Sequence, residues 1–274
     1  MNNLGTVLKE KRLSLKMSQK EVADGICTQP MISSIEKNKY IPNSQILISI
    51  CKKLKINLNI LNLDDNYQIS SVEKFNKKVG LYCNNHEYQK LKKFLLQEST
   101  VSMIENDQQT QAYYYYLGVC HLQADKDLKA AKMDLQMAMS KIDNQRELTT
   151  LDRLTLISMS LIFANKNIEY ESKKYLKLAF TDLDKSQFET NQIALFYLAA
   201  YTNILLGENI DATNWIVQGI EFASAHDSHY MLGNMYYLLA RLASNAHKNG
   251  IANIYQSRAN IFVELFNEKI FKSY

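Results

Sequence analysis

Between Asn43 and Tyr274 the chain contains no proline, and the whole 274-residue sequence holds only eight glycines. The only two prolines, Pro30 and Pro42, lie near the start. Turns between strands draw heavily on Gly and Pro, so so long a stretch without them favours helix over strand. With 46% hydrophobic residues the chain is globular, and its length suffices for two domains and a sizeable core. The expected fold class is therefore all-α.

The N-terminal segment carries the sharpest local signal. Helix 1 is expected from Leu4 to Lys16, with Leu4, Val7, Leu8 and Leu15 on one face. Ser18 and Glu21 have the S-x-x-E spacing of a capping box and open helix 2, whose Val22, Ala23 and Ile26 face inward. Ala23 is small where the next helix crosses close by. Thr28 is the expected N-cap of helix 3, with Ile32 and Ile35 buried and Pro30 tolerated in the first turn. Asn43 or Ser44 starts helix 4, in which Ile46, Leu47, Ile50 and Leu54 close a small core. Leu58, Ile60 and Leu61 suggest a short fifth helix.

Two helices joined by a tight turn form a helix-turn-helix, with helix 3 placed to enter the DNA major groove. Its N-terminal residues would meet base edges. Gln29 suits adenine, which an amide can bond in two places, and Met31 suits a thymine methyl. Ser33 and Ser34 could reach a base or a phosphate. Thr28 and Pro30 lie at the same helix start, and Gln19, Lys37, Asn38 and Lys39 would hold phosphates and set register. Arg12 and Glu36 are expected to form a structural ion pair between helices 1 and 3. Residues 1–63 hold ten basic and four acidic residues, a charge of +6, which leaves −2 for the remainder. Phosphate neutralisation needs that asymmetry.

Asp64 to Ser71 is polar and reads as a linker, dividing a domain at 1–63 from one at 72–274. Beyond it the chain repeats with a period near 40. Small residues mark the copies: Gly118 with Ala130, Ala179, Ala200 with Ala212, and Ala240 with Ala252 and Ala259. Tyr114, Phe196 and Tyr236 precede the first small residue of their copies. This resembles the tetratricopeptide pattern. Five helix pairs are expected, near 71–98, 108–142, 148–184, 188–224 and 228–272. Stacked pairs form a superhelix whose concave face is lined by the first helix of each. That face would include Tyr115, Val119, Ile157, Leu161, Tyr197, Tyr201, Asn234, Tyr237 and Arg241. A second pattern, Asn85, Gln123, Asn165 and Asn245 with Asn203 slightly off register, lies toward the ends of the same helices. Side-chain amides can pair with both N–H and C=O of an extended peptide, and Arg241 could meet a carboxylate. The alternative is that these Asn residues cap helix C-termini and the tyrosines pack between repeats.

The four cysteines show no paired spacing and suggest reduced thiols; no apolar run suggests a signal peptide or membrane span, so a cytoplasmic protein is expected. No P-loop, G-x-S-x-G or zinc pattern appears, so no enzyme and no cofactor or metal is expected. His226 and His229 have metal-compatible spacing without a third ligand, and an inter-repeat turn is the better reading.

Through Gln19, Ala23, Ile32, Ile35 and Glu36 the first 63 residues resemble the Cro/C1-type helix-turn-helix family. The turn departs from it. Gly25 to Gln29 is one residue short, and Cys27 stands where glycine is usual. That form is similar to the Rgg/MutR and PlcR-type regulators. With about five degenerate tetratricopeptide-like pairs behind it, the chain resembles the RNPP/Rgg peptide-pheromone-responsive transcription regulators. The resemblance implies a cytoplasmic homodimer that binds double-stranded DNA and a short signalling peptide, as in quorum sensing. A repressor whose repeats bind a protein partner is the alternative.

Overall fold

A computed structural model describes residues 4–37, 39–40, 42–54, 56, 68–142, 147–266 and 268–271. All regular structure among them is helical. The chain divides into two compact units, Met1–Asp65 and Asn66–Tyr274.

The first unit contains α1 (Leu4–Ser14), α2 (Gln19–Ala23), α3 (Gln29–Glu36) and α4 (Ser44–Lys53). Ser18 caps α2 by accepting from the Glu21 backbone while the Glu21 carboxylate accepts from Ser18 N–H, both halves of the expected box. Asn43 caps α4 by accepting from Ile46 N–H. Thr28 stands at the α3 N-cap, but its hydroxyl makes no capping bond. The core gathers Leu8, Val22, Ala23, Ile32, Ile35, Leu47, Ile50, Cys51 and Leu54. Leu15, expected on the inner face of helix 1, is exposed because α1 stops at Ser14 and Lys16 turns into left-handed backbone. The expected fifth helix and Asn38 lie outside the described residues.

The second unit is an α-solenoid of five helix pairs: α5 (Glu73–Asn84) with α6 (Tyr88–Leu95), α8 (Asp107–Cys120) with α9 (Leu128–Met139), α10 (Thr150–Asn165) with α11 (Glu169–Ala179), α12 (Ile193–Leu205) with α13 (Asn209–Ala225), and α14 (Leu232–Asn245) with α15 (Asn249–Phe266). A one-turn helix, α7 (Glu98–Val101), lies between the first two pairs. Of the expected linker, Ile69 and Ser70 are fully buried, Ile69 in the core of the first pair, so the second unit begins earlier than its polar sequence suggested. Asp64 to Tyr67 fall outside the described residues.

Each pair turns on one left-handed residue: His86, Lys126, Asn167, Gly207 and His247, about 40 residues apart. In four of these turns the next residue's N–H reaches back five positions, as Glu87 to Tyr82, Ile168 to Phe163, Glu208 to Asn203 and Lys248 to Ala243. This is the Schellman closure of a helix end. In the second pair His121–Asp125 forms a π-helical turn, and Asp127 N–H reaches His121 instead.

Small residues let the paired helices approach. A methyl group at Gly118 would lie 2.9 Å from Leu135 Cγ and 3.3 Å from the Ala131 carbonyl. The partner of Gly118 is thus Ala131, fully buried, and not Ala130, which is half-buried one position around the helix. Ala179, Ala200, Ala212, Ala240, Ala252 and Ala259 are all buried as expected.

Helix α10 is covered on every side from Thr150 to Ala164. It packs against α9, α11 and α12, so no face is left for solvent. Most of its polar groups are satisfied internally, as buried groups generally are, although Thr150 Oγ1 and Arg153 Nε have no hydrogen-bond partner. The Gln111 amide donates to Asp152, Ser160 and Ser172 exchange hydroxyl-to-carbonyl bonds, and the Arg153 guanidinium donates to the Ala179 and Thr181 carbonyls at the end of α11. Desolvation lowers the Arg153 pKa, which the surrounding acids only partly offset.

Candidate functional site

Two sites emerge, one in each unit. In the first, α3 exposes Thr28, Gln29 and Pro30 at its N-terminus, with Lys37 and Lys39 exposed just past its end. Ser33 and Ser34 are half-exposed. Met31 is half-buried and packs in part against the unit's core.

A buried ion pair governs this face. Arg12 donates from Nε to Glu36 Oε1 at 2.6 Å and from a terminal nitrogen to Oε2 at 3.0 Å, with side chains 9% and 4% exposed. Its other nitrogen bonds the Met17 carbonyl at 2.9 Å. Gln19 Nε2 donates to Glu36 Oε2 at 2.8 Å, and Gln29 Nε2 donates to Gln19 Oε1 at 2.7 Å. A carboxylate only accepts, so Glu36 dictates which end Gln19 presents to it, and Gln19 in turn dictates the orientation of Gln29. Gln29 then points outward with its Oε1 and a second N–H, the acceptor and donor that a bidentate bond to adenine uses. Burial alone would raise the Glu36 carboxyl, but hydrogen bonds from Arg12 and Gln19 outweigh it and hold the group below its ordinary value. The bond to Glu36 raises Arg12.

The second site is a groove of about 960 Å³ in the repeat unit, lined by the α5–α6 turn, the π-helical turn, α14, α15 and residues 268–271. Three expected residues line it: Asn85, Gln123 and Tyr237. Asn234 reaches it from a buried position, 1% exposed, through its bonds to residues 268–271. Burial raises the phenol of Tyr88, which lines the groove, and those of Tyr115, Tyr116 and Tyr230 above the ordinary value. They are neutral hydroxyls. Tyr115 is hydrogen-bonded to Ser158.

Other expected residues of the concave face are placed elsewhere. Ile157 and Leu161 are core residues, 0% and 2% exposed, because α10 is enclosed. Tyr197 is buried in the same core as Ile157. Val119 and Tyr201 are half-buried, and Tyr201 packs beside Leu161 with Arg241 close by. Arg241 and Asn245 are exposed on α14. Two members of the amide ladder are local. Asn165 donates to Leu161 O and Asn203 to Ala199 O, each one turn back in its own helix. Those amides are spent on their own backbone, and only Asn234 spans to another segment. The sequence reading overlooked His86, Tyr88 and Tyr230, which lie in turns or at helix starts and carry no periodicity.

His226 and His229 do not converge: the first stacks on Phe188 at 3.9 Å and the second on Phe266 at 3.7 Å. No group of metal-ligating residues occurs among the described residues. The four cysteines are free, and burial pushes the Cys51 and Cys83 thiols up to about 11. No described helix is long and apolar enough to cross a membrane.

Residues 8–61 match the helix-turn-helix family model. No curated protein sequence matches the chain. Among solved structures, PlcR of Bacillus thuringiensis in complex with the peptide PapR7 and DNA superposes with a TM-score of 0.68 at 17% identity, covering 97% of this chain and 96% of that one. The apo form of the same protein gives a TM-score of 0.57 at 15% identity, covering 96% and 94%. ComR from S. thermophilus in complex with DNA and its signalling peptide ComS gives 0.50 at 13% identity, covering 97% and 94%. At these identities the likeness shows a shared fold, end to end.

Proposed function

We propose that this chain is a DNA-binding transcription regulator whose repeat unit takes up a short signalling peptide, and that the peptide alters DNA binding. The observation that carries the reading is the pairing, within one chain, of a recognition helix whose outermost amide is locked in orientation with a groove in which a buried asparagine bonds both an N–H and a C=O of another backbone segment. Neither feature serves a catalyst, and no enzymatic role is proposed. PlcR and ComR, which share the fold, have been captured with DNA and with peptides. The protein works in the cytoplasm, where both DNA and an imported peptide are accessible.

On this reading α3 enters the major groove, Gln29 reads a base edge, and Gln19, Ser33, Ser34, Lys37 and Lys39 hold register on the phosphates. A homodimer would present two such helices to half-sites about one helical turn apart, ~34–36 Å. The peptide acts by linkage: it shifts the protein between arrangements only as far as its affinity differs between them.

The experiment selects preferred sites from a random duplex library with the purified protein, then measures affinity for the winning site with and without a short-peptide extract of the host's culture medium. Enrichment of a two-fold site whose affinity changes with the extract supports the reading. Identical affinities would remove the peptide from it, and no enrichment would remove the recognition helix.

A further inference from the structure

One wall of the groove is the chain's own segment Glu268–Phe271. Beyond α15, Glu268–Phe271 has no regular secondary structure and bonds to the N-terminus of α14 and to the turn between α5 and α6. The Glu268 carboxylate accepts from Gly233 N–H at 3.0 Å, Asn234 N–H at 2.9 Å and Asn234 Nδ2 at 2.6 Å. An anionic group at a helix N-terminus gains from the unpaired N–H groups there. Asn234 then holds the backbone: Nδ2 donates to Lys269 O at 3.2 Å and Oδ1 accepts from Phe271 N–H at 2.8 Å. From the first pair, His86 Nε2 bonds the same Lys269 carbonyl at 2.8 Å. A carbonyl only accepts, so Nε2 is the donor in that bond, and Nδ1 lies 3.1 Å from the Tyr88 hydroxyl. The Phe271 ring packs edge-on against His86 at 5.3 Å and Tyr88 at 6.3 Å.

Every element of peptide recognition is present here: a seat for a carboxylate, a side-chain amide that bonds two residues of one segment, and an aromatic niche. A segment that merely ended the last helix would need none of this. Its contacts run both to Gly233 and Asn234 of the last pair and to His86 and Tyr88 of the first, which the last pair does not otherwise need for its own packing. The segment is short and half-exposed, the kind of element that opens at low cost.

We propose that Glu268–Phe271 is a resident ligand of this groove, and that an incoming peptide binds by displacing it. The subsite accordingly selects an extended peptide with an acidic side chain followed three residues later by an aromatic one. The inference rests on the peptide-regulator reading above and names the competitor and the chemistry of that site. A tethered competitor acts at high effective concentration, so release of the segment raises the apparent affinity of any peptide that uses the site.

The test uses a fluorescein-labelled synthetic peptide of residues 267–274, Asn-Glu-Lys-Ile-Phe-Lys-Ser-Tyr, titrated by anisotropy. It is titrated against the intact chain, a chain ending at Phe266, and an intact Glu268→Ala variant. Glu268→Ala removes the carboxylate that holds the segment to Gly233 and Asn234 and leaves those groups in place to hold the peptide's own glutamate. It keeps the test decisive should the shortened chain fail to fold. The expected result is binding at least about tenfold tighter to the shortened chain or to Glu268→Ala than to the intact chain. Binding is lost when the peptide carries Glu→Gln and Phe→Ala, or when the shortened chain carries Asn234→Ala. Equal binding to all forms, no binding to any, or binding indifferent to Asn234 overturns the proposal. In parallel, the affinity of the selected DNA site is measured with culture-medium peptides. A response there, with no binding of the tail peptide, refutes the resident-ligand proposal and leaves the regulator reading intact. Tail-peptide binding with no DNA response upholds the proposal and refutes the regulatory reading.

Discussion

Breaking the Arg12–Glu36 pair from one side should cost more than removing it altogether. Both side chains are nearly enclosed, at 9% and 4% exposure. Arg12→Met leaves the Glu36 carboxylate buried with only the Gln19 amide as partner, and Glu36→Met leaves the guanidinium with only the Met17 carbonyl. Truncating one partner of a buried pair costs about 3–5 kcal/mol, whereas replacing both with apolar groups is often neutral. The double variant here still strands the Met17 carbonyl and the Gln19 amide, at about 1 kcal/mol or somewhat more apiece. The expected outcome is therefore about 3–5 kcal/mol for each single change, about 1–3 kcal/mol for the pair, and a coupling of several kcal/mol. Hydrogen exchange of α1–α4 amides in the intact chain reads this directly as local protection. The pH dependence has a definite sign. The folded Glu36 pKa is lowered, so its contribution is fully present above the unfolded value near ~4.3 and is lost as pH falls through the folded value. Protection of α1–α4 should fall on acidification in the natural chain, and that component should vanish in the double variant. Additive single effects, or an unchanged acid profile in the double variant, would refute the reasoning.

Gly118→Ala gains helix propensity but drives a methyl to 2.9 Å from Leu135; overpacking of about 1–3 kcal/mol outweighs a gain of about 1, so thermal unfolding should show a net loss in Tm. Ile157→Ala, in the enclosed α10, should cost about 2–5 kcal/mol by chemical denaturation, while Asn165→Ala, whose amide serves only its own helix, should leave peptide affinity unchanged in titration calorimetry. On the selected DNA site, Gln29→Ala should cost about 1–3 kcal/mol and relax discrimination at one base. Lys37→Ala should weaken all sequences alike and lower the salt slope by about 0.9, as measured by affinity against salt concentration.

The helical class, the helix-turn-helix and the five pairs were legible in the sequence because each rests on local chemistry. Capping by Ser18 and Asn43, the absence of proline after Pro42, and small residues such as Gly118 and Ala200 act within a turn or between adjacent helices. The Arg12–Glu36 pair was also readable, since the helix-turn-helix pattern itself brings those helices together. The groove was not. Counting along first helices put Ile157, Leu161 and Tyr197 on a concave face, yet α10 is enclosed by neighbours from three other helices, which no single-helix period can reveal. The turn residues His86, Lys126, Asn167 and His247 adopt left-handed backbone without being glycine, so the most regular mark of the repeat is absent from the letters. Whether an asparagine amide serves its own helix, as at Asn165 and Asn203, or another segment, as at Asn234, depends on what the superhelix brings within 3 Å. Local sequence determined the helices and their pairing. Only the tertiary packing, which sets Phe271 against His86 and Tyr88 from the first pair, decided where the groove forms.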